Sequence, residues 1–140
     1  MNRCATRHTG TESLIDRIGM KASVESCIFC KIVRGEIPSR KVYEDEDLLA
    51  FHDINPVAQV HFMLIPKEHV ESLDHVEERH QMVLGKMLLL AGRLAREQGS
   101  ADGFRTIVNS GRIGRQDVFH VHMHVLGGNN PLPGMIQRST

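Results

Sequence analysis

At 140 residues, 41% of them hydrophobic, the chain has enough apolar material for one domain with a proper core and too little length for two. Lys and Arg number 17 and so do Asp and Glu, which excludes the one-signed field that would hold nucleic acid or an anionic membrane surface and leaves any anionic ligand to be met locally. No apolar run approaches the roughly 18 residues of a membrane span or forms a secretory core, and three cysteines (Cys4, Cys27, Cys30) are too few for a disulfide framework, so the chain is expected to be cytoplasmic with its thiols free.

Residues 1–24 mix Arg, Thr, Ser and Gly without a sustained period and are expected to form a disordered extension ahead of a domain at 25–140. Arg3, Arg7 and Arg17 resemble a transit peptide, but Glu12 and Asp16 count against one, and an original start at Met20 is the simpler explanation. Ser26 is placed to cap a short helix over Cys27 to Arg34 that Gly35 ends, with Phe29, Ile32 and Val33 on its inner side. Lys41-Val42-Tyr43 reads as a first strand and Leu48 to His52 as a second. The acidic run Glu44 to Asp47 between them reads as a solvated hairpin tip.

Asp53-Ile54-Asn55-Pro56 breaks the second strand. His61 to Ile65 is apolar enough for a central strand, with His61 at its polar end and Pro66 closing its ladder. From Asp74, with Glu77 completing a capping box, a long helix is expected to about Gln98. Its buried stripe would be Val83, Leu84, Met87, Leu88, Ala91, Leu94 and Ala95. His75 and His80 fall in its first turns as solvated or capping residues, and Met82, Met87 and Met123 read as core filler. Asp102-Gly103 marks a turn before a strand at Phe104 to Val108. A glycine-punctuated loop, Asn109 to Gln116, follows; its glycines would let backbone donors approach an anion. The tail from Asn129, with Pro131, Pro133 and Gly134, should be irregular. Strands in hairpins with one long and one short helix argue for an α+β fold on an antiparallel meander of about five strands.

Phe119-His120-Val121-His122-Met123-His124-Val125-Leu126, closed by Gly127-Gly128, alternates polar and apolar residues over a strand's length. A strand sends alternate side chains to opposite faces, so His120, His122 and His124 would form one row with neighbours about 6.6 Å apart. Imidazole titrates near neutrality, which suits a nucleophile or an acid–base pair facing a phosphate. The bland alternatives are a solvated strand face or a fortuitous metal site. Cys27 and Cys30 sit at metal-ligand spacing, although two small buried cysteines on a helix would look the same.

The spacing His-x-His-x-His resembles the histidine triad (HIT) superfamily of nucleotide hydrolases and transferases, and more narrowly its Hint branch of purine nucleoside phosphoramidases. The likeness runs from Cys27 to Gly134. It includes Ile28-Phe29-Cys30-Lys31-Ile32, Glu36-Ile37-Pro38, Ala50-Phe51-His52-Asp53-Ile54, His61, Ile65-Pro66-Lys67, and Asn109 eleven residues before His120. The resemblance implies a homodimer joining two sheets, with a purine nucleotide pocket in each subunit and no metal required for catalysis. Phe29, Ile32, Ile37, Phe51 and Ile54 would wall base and sugar beside His52, and Asp53 would accept from the ribose hydroxyls; read from the residues, the apolar positions could equally be core and Asp53 a turn cap. His122 would attack the α-phosphorus to form a nucleotidyl-histidine that water cleaves to AMP or GMP, aminoacyl adenylates being a further substrate class. His124 would contact phosphate and help protonate the leaving group, His120 and His61 would support the row, and Asn109, Gln116 and the Gly114 to Asp117 backbone would stabilise charge on phosphorus oxygens. Some bacterial members bind structural zinc through residues that align with Cys27, Cys30, His69 and His120.

This chain has Arg115-Gln116-Asp117 where animal Hint proteins have Gly-Gln-Ser, so a carboxylate replaces a hydroxyl. Asp117 is expected to favour leaving groups that carry an amine or ammonium, with Arg115 offsetting its charge. Two rival readings stand beside the phosphoramidase. One is the diadenosine polyphosphate hydrolase branch, which usually diverges at Gly127-Gly128; the other is a nucleotide-binding scaffold without catalysis.

Overall fold

A computed structural model describes residues 24–138. The expected disordered extension therefore lies outside the described residues, apart from Val24, which is buried in an apolar cluster. In chain order come helix α1 (Ile28–Val33), strands β1 (Lys41–Glu44), β2 (Leu48–His52) and β3 (Val60–Pro66), helix α2 (Gln81–Glu97), and strands β4 (Arg105–Ile107) and β5 (Met123–Gly127). The five strands form one sheet in the order β1-β2-β3-β5-β4, every neighbouring pair antiparallel. The first three make a meander; after α2 the chain lays β4 on the edge and returns β5 between it and β3.

Strand alternation divides the sheet into two differently used faces. Leu48, Ala50, Val60, Phe62, Leu64, Met123 and Val125 face α2, meeting Met87, Leu90, Ala91, Leu94 and Ala95 in one apolar cluster. The alternate residues Leu49, Phe51, Met63 and Ile65 form the second cluster with Phe29, Cys30 and Ile32 of α1. His61, His122 and His124 belong by the same alternation to this α1 face. The stripe on α2 differs in one place from its periodicity: Leu88 is 62% exposed, and Leu90 takes the inward position.

Three local expectations are corrected by hydrogen bonding. Cys27, not Ser26, caps α1, its Sγ accepting from the Cys30 amide at 3.4 Å. The long helix begins at Gln81, because two short 3-10 turns, Leu73–His75 and Glu78–His80, precede it. Ser72 caps the first turn through the Asp74 amide, and Val76 is extended, which interrupts the run. His75 is an exposed residue bonded to Ser72, but His80 is buried: its Nδ1 accepts from the Glu77 amide, so its Nε2–H donates to Glu68. The acidic tip is also more than solvated. Asp45 accepts from the Asp47 and Leu48 amides, from the Tyr43 hydroxyl and from Lys86 of α2, tying the β1–β2 turn to the covering helix.

Candidate active site

The row of three histidines exists only in part. β5 starts at Met123, and ahead of it the backbone turns: the His120 amide bonds the Val118 carbonyl and the Val121 amide bonds Val70. His122 and His124 remain side by side, ring centroids 5.0 Å apart. His120 leaves the row for α1, where Nδ1 lies 3.4 Å from Cys27 Sγ and 3.6 Å from Cys30 Sγ.

His122 is 1% exposed, with the Phe29 ring edge-on at 5.1 Å. Its Nδ1 lies 2.7 Å from the His120 carbonyl, a group that only accepts, so Nδ1 carries the proton and Nε2 presents its lone pair. Among the described residues that Nε2 is the buried side-chain polar atom without a hydrogen-bond partner. Asp117 Oδ1 stands 3.3 Å away, but neutral Nε2 and a carboxylate both accept, so no hydrogen bond joins them. Asp117 is 74% exposed on its side chain and accepts from its neighbour's amide, Val118.

A second chain of contacts orients His124. The Val57 amide donates to His61 Nδ1 at 3.1 Å, which leaves the His61 proton on Nε2. That Nε2–H faces His124 Nδ1 at 2.9 Å and Asp53 Oδ2 at 3.2 Å. His124 therefore accepts at Nδ1 and carries its own proton on Nε2. Burial lowers the pKa of His61, opposed by the Asp53 carboxylate. Burial also lowers that of His124, reinforced by His122 and His61 and opposed by Asp53 and Asp117. Both rings are held neutral, in keeping with these tautomers.

Phe29, Ile32 and Phe51 are buried in the cluster beneath the histidines, Ile37 packs at its margin, and Ile54 is 91% exposed beyond the end of β2. Asp53 caps the following turn, accepting from the Asn55 amide, while its other oxygen meets His61. A carboxylate offers about four lone-pair sites, so capacity remains for a ribose hydroxyl. Asn109 is half-buried, two residues beyond Ile107, the strand partner of His124. Two expected binding residues stand elsewhere. His52 shares the α2 face with Leu48 and Ala50 rather than the histidine face, and its pKa is lowered by burial and by Arg40. Gln116 is spent as a brace: its amide donates to the Glu71 and Val118 carbonyls, and its oxygen accepts from the Gly111 amide.

Gln116 thus shapes the loop that ends at Asp117. Gly114 is required there, since a Cβ would come within 2.6 Å of the Ser110 carbonyl oxygen. Arg115, at φ 61°, occupies a left-handed conformation that usually falls to glycine. Sequence reading missed two groups that set proton positions, the Val57 amide and the Pro66 carbonyl, and expected a backbone carbonyl to fix the His122 tautomer without showing that it is the one of His120. Backbone groups leave no residue-type signal.

The four side chains Cys27, Cys30, His69 and His120 are all buried, with donor atoms within 4.8 Å of one another. His69 Nδ1 lies 3.2 Å from Cys30 Sγ. His120 Nε2–H donates to the Pro66 carbonyl at 2.8 Å, so its Nδ1 lone pair points at the sulfurs. Two thiols and two imidazoles, one with its tautomer already fixed for ligation, fit a tetrahedral zinc-class ion.

A HIT domain model matches residues 34–131. The chain belongs to the HIT family. It is 44% identical over 113 residues to the purine nucleoside phosphoramidase of Escherichia coli K12, covering 80% of this chain and 94% of that protein. It is 48% identical over 103 residues to a 14 kDa zinc-binding protein of Zea mays, covering 72% and 80%. A histidine triad protein from Clostridium difficile superimposes with TM-score 0.74 at 44% identity, over 79% of this chain and 96% of the other. These likenesses agree with the antiparallel sheet and long helix. HIT membership accounts for the His-x-His-x-His spacing, although only two of its three side chains face the candidate site.

Proposed function

We propose that this HIT protein is a nucleotide hydrolase that cleaves the P–N bond of purine nucleoside phosphoramidates and releases AMP or GMP. The observation that carries the reading is the unpartnered, buried Nε2 of His122, freed by the bond from Nδ1 to the His120 carbonyl. The 44% identity to a purine nucleoside phosphoramidase supports it.

In this mechanism His122 Nε2 attacks the α-phosphorus and forms an N–P bond while the bond to the leaving nitrogen breaks. The bonding pair goes to that nitrogen; a substrate already protonated there departs as the neutral amine. His124, with its proton on Nε2, donates a hydrogen bond to phosphate or leaving nitrogen. This role differs from full proton donation, because burial keeps His124 neutral and a neutral imidazole that gave up its Nε2 proton would be left an anion. Asn109 and the backbone of Gly114 to Asp117 stabilise the phosphorus oxygens. Water then cleaves the N–P bond, returning His122 and giving the monophosphate. No step runs through a metal; an ion in the Cys27–Cys30–His69–His120 cluster would brace α1 against the residues before β5.

Turnover of an adenosine phosphoramidate and of diadenosine polyphosphates by wild type and His122→Ala tests the reading. Faster cleavage of the phosphoramidate, lost by a factor of about 10³ or more in the variant with AMP binding kept, is expected. Preference for the polyphosphate would assign the other branch of the superfamily, and full turnover by the variant would leave a nucleotide-binding scaffold.

The same reading includes a homodimer. β4 is a three-residue edge strand, and Met82, Leu88, Leu89 and Phe104 are exposed apolar residues on α2 and beside β4. Pairing two β4 edges would satisfy their backbone groups and cover that surface. Light scattering on the eluting protein should give the mass of two chains; the mass of one would reject it.

A further inference from the structure

His120 is buried and its ring turns away from the candidate site toward the cysteines, yet it has bonds in two directions. Its imidazole Nδ1 faces Cys27 and Cys30, while its carbonyl accepts the His122 Nδ1–H that fixes which nitrogen attacks. Helix α1 repeats the link: Cys27 and Cys30 point to His120, and Phe29 between them packs edge-on against both His120, at 5.9 Å, and His122, at 5.1 Å.

We infer that His120 is a positioning residue through which the Cys27–Cys30–His69–His120 cluster, on taking up zinc, raises the turnover of His122 far more than it alters nucleotide affinity. The inference rests on the reading of His122 as nucleophile. Sulfur contacts of 3.4 and 3.6 Å join Cys27 and Cys30 to His120, and one of 3.2 Å joins Cys30 to His69; S–H is a weak donor. Ligand bonds of about 2.0–2.3 Å to one shared ion remove that play. What they hold still is the peptide carbonyl that aims His122 and the ring that walls it. Of the residues expected on the base and ribose side, Phe51, Asp53 and Ile54 lie on β2 and the turn after it, which no ligand of the cluster belongs to, while Phe29 and Ile32 lie on α1 with Cys30, so affinity should respond less than turnover.

The test strips the full-length protein with a chelator and reloads it with zinc, following zinc per chain, AMP affinity by calorimetry, and kcat and KM on an adenosine phosphoramidate. Two variants accompany it. His69→Ala removes the ligand that makes no contact with His122, and His69→Cys keeps four ligands. Wild type should bind one zinc per chain, lose about tenfold in kcat on stripping, and keep its AMP affinity within about twofold. His69→Ala should stay at the stripped kcat whatever zinc is added, and His69→Cys should recover both zinc and kcat. Equal turnover with and without one zinc per chain would overturn the inference alone, as would parallel loss of AMP affinity, which marks general loosening. Failure to bind zinc would also overturn it. A zinc-loaded wild type that bound AMP without cleaving the phosphoramidate would overturn the functional reading and this inference with it.

Discussion

Around His122 and His61 the proton positions follow from partners with a single hydrogen-bonding role: the His120 carbonyl accepts, and the Val57 amide donates. The outcome is a lone pair on His122 Nε2 beside an N–H on His124, two neighbouring rings of one residue type given opposite tasks. Asp117 is the neighbour that complicates them. Its carboxylate, 3.3 Å from the attacking nitrogen, repels an approaching phosphate unless the substrate brings a positive group. Phosphoramidates with ammonium-bearing leaving groups should therefore be cleaved faster than those with neutral or anionic ones. Asp117→Ser should flatten that ranking by about twofold to fivefold in kcat/KM, the scale of one solvent-screened charge pair. An unchanged ranking across the series would dispose of the idea. Gln116 shows the limit of reading residues by type: its amide could have served a phosphate, but three backbone partners claim it.

At the level of elements, the stretches with strong local patterns were legible. Leu48–His52 was expected as a strand and is one, because an apolar run between a charged turn and Asn-Pro leaves few alternatives. α2 was legible from its period, and its start was not, since Ser72 and the extended Val76 break the run before Gln81. The end of β5 depends on close approach. A Cβ on Gly127 would lie 2.1 Å from Ser100 Oγ, and that hydroxyl already donates to the Gly103 carbonyl and accepts from the Gly128 amide. Gly127→Ala should cost about 1–3 kcal/mol, read as a lower denaturation midpoint at constant slope. An unshifted midpoint would mean that Ser100 rotates away without loss.

For the molecule as a whole, His61 and His124 make stability depend on pH near neutrality. His61 and His124 have folded-state values below the ordinary 6.5, burial being the main cause in both. Below about pH 6.5 the unfolded chain gains protons that the folded one refuses, so stability should fall as pH drops from 7 toward 5. Melting temperatures across that range, compared between wild type and His124→Asn, check this; the variant should show a shallower fall, and identical slopes would assign the loss to other groups.

Residue order alone determined the family, the two-faced sheet with its covering helix, and the candidacy of His61, His122 and His124, because alternation and helical period are local consequences of which residues are apolar. Tertiary structure decided where His120 points and which nitrogen of each ring holds a proton. It also decided that Gln116 braces a loop while Asp117 faces the nucleophile. The Pro66 and Glu71 carbonyls lie far along the chain from the side chains they hold, and the nearer Val57 amide and His120 carbonyl face their rings only through loop geometry that residue types do not encode.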